Sequence, residues 1–299
     1  MLTCGIEWPG GAKCAACISW DVCADSLLHL QNPEHAHEEY AALSWLRFEE
    51  VGVPNVVAVL DRHAIKQTFF VCAWCIERLP HMCEPIVTSG HELAHHGYMN
   101  EPPNRRTADE ELHWLRYCSD VIERFSGRRP VGWRAPYAAF SPRSADFLAQ
   151  EGFLYDSSLM SDWRPHVIKS ASGELIELPI DTTMSDWPHF AHVTDMGYLM
   201  SIKSPDAAME VFQAELDAAR ELGGLWITIW HPHVSGRPAR LLRWARMLEE
   251  ALAKGDIWFA PLEEIARHVK ARIDDGSFEP RVVSLPYYEE PVPELDRYP

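Results

Sequence analysis

No apolar run in these 299 residues reaches the roughly 18 residues that a membrane-spanning helix needs, so no membrane partner is expected. Positive charge is scarce: 27 Lys and Arg stand against 44 Asp and Glu, a formal net charge of −17. Binding to nucleic acid rests on a basic footprint that this balance does not provide. Residues 1–20 carry one lysine and an apolar run broken by Pro9, Gly10 and Gly11. They lack the charged start, continuous apolar stretch and cleavage site of a secretory signal. The expectation is a cytoplasmic protein whose eight cysteines are reduced thiols and not a disulfide framework. Internal repeats are absent, and a chain 47% hydrophobic and 24% charged is neither disordered nor fibrous.

Short apolar runs alternate with helical patterns, the mark of a mainly parallel α/β sheet or barrel. Strands are expected at 15–20, 65–71, 131–134, 176–180, 225–230 and 257–260. Helices are expected at 39–48, 53–63, 108–126, 142–151, 205–221, 238–254 and 261–273. Pro54 falls in the first turn of the second of these, and Gly127, Gly152 and Gly255 sit just past three helix ends. Residues 1–275 read as one unit. From 276 the pattern stops, and prolines at 280, 286, 291, 293 and 299 favour an extended arm. Leu285, Tyr287 and Tyr288 on that arm need an apolar surface, either on the same subunit or on a neighbour.

Polar groups gather where the expected strands end, the place where parallel α/β folds keep their sites. Asp21 ends the first strand, where an unpaired carboxylate is costly. Arg134, at another strand end, is its expected partner, as a catalytic or a purely structural pair. His91 and His95 are four apart, so on a helical turn they share a face and chelate one divalent ion. Among fifteen histidines that spacing alone is weak, and two surface histidines are the bland alternative. A metalloprotease HExxH does not suit the preceding strand–helix pattern. His231 ends the run from Leu225 to Trp230 and is followed by Pro232. Taken together, these five residues at successive strand ends are hard to dismiss as scattered structural groups. The pairs Cys14–Cys17 and Cys72–Cys75 lie too far apart for a zinc ribbon and read as small core hydrophobes.

The segments SWDVCADS, SGHELAHHGY, WRAPYAAFSPRSADFLAQEGFLYDSSLM, ELPIDTTMSDWPHF and HPHVSGRPARL, in that order, resemble the polysaccharide deacetylase superfamily, carbohydrate esterase family four. The likeness runs over about residues 8–269. It is strongest to the branch with cyclic imide hydrolases, allantoinase-like enzymes and peptidoglycan deacetylase homologues. It implies an α/β fold, a distorted (β/α) barrel with fewer than eight strands.

The resemblance also implies roles. Asp21 would be the catalytic base, Arg134 would orient it, and Tyr137 would offer its backbone N–H to the oxyanion. His231 would be the general acid, His91 and His95 metal ligands, and Asp186 and Trp187 walls of the substrate pocket. Where the family has a second aspartate as metal ligand, this chain has Cys23. The thiol either replaces the carboxylate, which favours zinc, or marks a weakened or lost metal site. The implied protein is a hydrolase of a non-peptide C–N bond, dependent on a divalent metal with zinc foremost. Its expected substrate is a small cyclic imide or ureide. The alternatives are N-deacetylation of a glycan such as peptidoglycan or chitin oligomers, and a catalytically silent ligand-binding relative. The branch further implies a homo-oligomer, dimer or tetramer.

Overall fold

The first strand sets the architecture by breaking in two: Cys14–Cys17 (β1) and Trp20–Val22 (β2) flank Ile18 and Ser19. Then come Thr68–Val71 (β3), Glu92–His95 (β4), Gly132–Trp133 (β5), Tyr155–Asp156 (β6) and the hairpin His166–Lys169 (β7) with Glu174–Glu177 (β8). A short ladder of His192–Val193 (β9) and Tyr198–Leu199 (β10) precedes Leu225–Ile227 (β11), Ile257–Phe259 (β12) and Val282–Ser284 (β13). The computed structural model describes residues 3–288.

From β2 to β6 the strands pair in parallel in sequence order, and β8 continues them. On the other side of the break, β1 lies between β11 and β12, again in parallel. A single bridge from Trp20 to Trp230 links the two sheets. The result is the arrangement of a distorted (β/α) barrel, with helices between the strands.

Alternation sorts each strand's side chains. Ala15, Cys17, Phe70, Ala94, Tyr155 and Ile229 fill the interior, whereas Trp20, Phe69, Leu93 and Trp230 pack beneath the helices. All eight cysteines are buried free thiols with no disulfide.

Local chemistry explains the helix ends. Thr107 and Glu110 cap each other ahead of Ala108–Ser126, and Gly127, at φ 76°, ends that helix. The helix expected from residue 53 instead spans Glu49–Arg62. Its acidic first turn suits the earlier start, and Pro54 inside it forfeits only the bond to the carbonyl four residues back. In the same helix, Gly52 passes so close to Pro232 that an added Cβ would overlap the Pro232 carbonyl. Gly52→Ala is therefore expected to cost about 1–3 kcal/mol of stability, read as a lower Tm by circular dichroism.

The C-terminal segment joins this chain's own sheet. β13 pairs in parallel with β7, Phe278 is buried, and Leu285 packs on the cluster of Trp133, Leu148 and Phe153. Tyr287 and Tyr288 are exposed. Pro291, Pro293 and Pro299 lie outside the described residues.

Candidate active site

A cavity of about 300 Å³ opens where β2, β4 and β5 end, and the residues just beyond those ends line it. Asp21, the middle residue of β2, pairs in register with Phe70 and is almost wholly buried. Arg134 donates from Nη1 to Asp21 Oδ1 at 2.7 Å. Three more of its donors go to Ser19 Oγ and to the carbonyl and hydroxyl of Ser157, and its guanidinium lies 4.0 Å over the Phe70 ring. The arginine is thus held in a single pose. Burial works against a charge on Asp21, but Arg134, with His96 and His231, holds the carboxyl below its usual range.

Across the cavity stands a second pair. His231 begins the turn Pro232–Ser235, and Asp186 Oδ1 accepts from its Nδ1 at 2.7 Å. Asp186 Oδ2 takes the backbone N–H of His231 and the hydroxyl of Ser235, so this fully buried carboxylate fixes both the ring and the loop. Burial pushes the imidazole toward neutrality, yet Asp186 raises it above its ordinary value. With Nδ1 engaged, the Nε2–H is the proton left to give. Trp187 packs on the ring at 5.1 Å between centroids.

Tyr137 adopts φ 59°, and its backbone N–H has no hydrogen-bond partner among the described residues. It lines the cavity with Ala24, Asn100 and Ala138, which also have positive φ. Strained backbone concentrated around one cavity is a mark of a functional site.

Asp21, Cys23, Arg134, Tyr137, Trp187 and His231 all line the cavity, with Asp186 directly behind His231. His91 and His95 do not. The segment that carries them is the strand Glu92–His95, not a helical turn, so four residues span roughly 13 Å, too far to chelate one ion. His91 Nδ1 accepts from the Gln67 N–H beside Asp61, and burial pushes its ring down to about 4. His95 faces the helix Ala108–Ser126: Nε2 donates to the Leu115 carbonyl, Nδ1 accepts from the Gly97 N–H, and burial pushes it down to about 3.

The alternation instead turns His96 inward, together with Glu92 and Ala94. Its Nδ1 donates to the Arg134 carbonyl at 2.9 Å, and its Nε2 lies 3.9 Å from Asp21 Oδ2. Burial, the largest influence, keeps this ring on the neutral side of its usual range.

The donors do not suit the divalent ion that the resemblance implies. Cys23 is paired with Cys72, the sulfurs 3.3 Å apart, and that hydrogen bond together with burial pushes its thiol well above the ordinary value. Asn100, which also lines the cavity, is neutral. Among the described residues, no three His, Cys, Asp or Glu side chains are grouped to hold an ion.

Sequence reasoning also missed Glu49 and His233. Glu49 accepts from the Ala24 N–H and pairs with His233 Nδ1 at 2.6 Å, and burial pushes its carboxyl up to about 8. The pair braces the loop after Asp21 against the turn after His231. The spacing of His231 and His233 around Pro232 was the available signal for His233; Glu49 had none.

A family model for polysaccharide deacetylase matches residues 37–155. A crystal structure from Mycobacterium smegmatis, described as a polysaccharide deacetylase, is 34% identical and superposes with a TM-score of 0.88 over 97% of this chain and 98% of that one. The Helicobacter pylori peptidoglycan deacetylase is 26% identical over 243 residues, 73% of this chain and 83% of that protein. Puue allantoinase shares the fold, with a TM-score of 0.77 at 21% identity over 89% of this chain and 93% of its own. Because the Mycobacterium smegmatis likeness extends over nearly the whole of both molecules, the chain belongs to the polysaccharide deacetylase family, hydrolases of non-peptide C–N bonds.

Proposed function

We propose that the chain removes the acyl group of an N-acetylated amino sugar by attack of water on the amide carbonyl. The observation that carries this reading is an ionised carboxylate, Asp21, and a raised imidazole, His231, lining one cavity. Asp21 takes the water's proton as the new C–O bond forms. The Tyr137 N–H donates to the carbonyl oxygen as it becomes an oxyanion. His231 then passes its Nε2 proton to the nitrogen as the C–N bond breaks, because an amide anion is too basic to leave unprotonated. The products are a carboxylic acid and a free amine.

The sugar is supported by the Helicobacter pylori relative, a peptidoglycan deacetylase. A cavity of about 300 Å³ is at the small end of ligand sites and suits one ring with its acyl group. Hydrolysis of a small cyclic imide or ureide is the second reading. It is favoured by an apolar wall of Leu27, Leu46, Met160, Ile180 and Met200, which offers few partners to sugar hydroxyls.

The test is a panel of N-acetylglucosamine, its oligomers, cyclic imides and ureides given to the purified chain. Acetate release from the sugars without imide opening is expected. Imide opening alone would reverse the order of the two readings. Hydrolysis of nothing in the panel, with tight binding of a member, would leave a silent ligand-binding relative.

A further inference from the structure

Deacetylases of this family generally depend on a divalent metal, and this chain's donors do not suit one. We infer that it hydrolyses its substrate without a resident metal ion, with His96 Nε2 and Asp21 Oδ2 holding the attacking water in the metal's stead. The inference rests on the hydrolytic reading above for its chemistry and on two atoms for its geometry.

The Arg134 carbonyl accepts only, so the proton of the neutral His96 ring sits on Nδ1 and a lone pair is left on Nε2. Asp21 gives Oδ1 to Arg134, which leaves Oδ2 free. Neither Nε2 nor Oδ2 has a hydrogen-bond partner among the described residues, and both side chains line the cavity. Their separation of 3.9 Å is too long for a hydrogen bond. It fits a water about 2.8 Å from each atom, with its two O–H bonds roughly 90° apart, near water's own angle. Such a water donates to both acceptors and turns its lone pairs toward the substrate.

On attack, the water oxygen bonds to the carbonyl carbon and Asp21 takes one proton. His96 keeps its hydrogen bond to the other. His231 protonates the nitrogen as the C–N bond breaks, so the step balances with no further co-reactant. The metal's usual task of positioning water and sharpening it as a nucleophile falls to two fixed acceptors.

The test combines metal content, zinc calorimetry and variants of His96. The protein as purified is expected to hold well under one equivalent of metal, to show no tight zinc binding, and to keep its rate after dialysis against a chelator. His96→Asn retains a donor for the Arg134 carbonyl but has no acceptor at the Nε2 position. It is expected to lower kcat roughly 100-fold with little change in KM. His96→Gln reaches that position with an oxygen and should recover part of the loss. A merely structural role would give the opposite order, with Asn the better replacement.

One tightly bound equivalent whose removal abolishes turnover would overturn the inference, as would wild-type kcat in His96→Asn. If no substrate is turned over, the hydrolytic reading fails on the panel. In that event stoichiometric zinc binding would overturn the metal-free reading separately, and its absence would uphold the statement about the donors.

Discussion

Asp21→Asn is expected to lower kcat/KM by about 10²–10⁴-fold, the range that a positioned general base contributes. Asparagine has nearly the same shape and keeps an oxygen for Arg134 Nη1, so substrate binding should change little and the loss should fall on kcat. What it lacks is the ability to take a proton. The variant should also unfold at lower temperature, because it leaves the buried guanidinium without its countercharge. Removing one partner of a buried pair costs about 3–5 kcal/mol, and the retained hydrogen bond should place this case at or below the lower end. Kinetics and a thermal melt on the same preparation separate the two effects. Full activity in Asp21→Asn would remove the base from the mechanism.

Asp186→Asn should act on the pH profile. The general acid must be protonated, so the rate falls as pH rises through the pKa of His231. In the native chain that value lies above the imidazole's ordinary one because Asp186 offsets the effect of burial. Without the carboxylate, burial prevails and the pKa drops. The alkaline limb of the rate profile should therefore move to lower pH, with a loss at neutral pH of roughly tenfold for each unit moved. A profile of kcat against pH for the two proteins checks this. An unmoved alkaline limb would mean that His231 is not the titrating acid. Loss of the acceptor for the Ser235 hydroxyl and the His231 N–H should loosen the loop as well.

Much of the order of strands and helices was legible because their signals are local: apolar runs, Pro54 near a helix start, glycines at helix ends. Asp21, Arg134 and His231 were legible for a different reason, since a charged group at the end of a buried strand needs a partner or a purpose. The histidine segment was misread through its period. Residues 91–95 were given a helical repeat, whereas the strand Glu92–His95 has a repeat of two, which puts His96 beside Ala94 in the interior and His95 against the helix. Tyr137 was named only through the family's motif, since its left-handed backbone has no signature in an Ala-Pro-Tyr-Ala run. The hairpin of β7 and β8 escaped in part: only residues from 176 were read as strand, although the Ser-Gly turn at 172–173 separates two alternating runs. Glu49 lies in an acidic stretch that reads as solvated surface, and only the folded chain shows it buried beneath Ala24.

The measurement that bears most directly on the whole account is product analysis in oxygen-18-labelled water, using whichever panel member is turned over. Direct attack of water on an amide carbonyl predicts one heavy oxygen in the released carboxylic acid and a release from Asp21→Asn slower by about 10²–10⁴-fold. An acid without label, or equal release from the Asp21 variant, would contradict it.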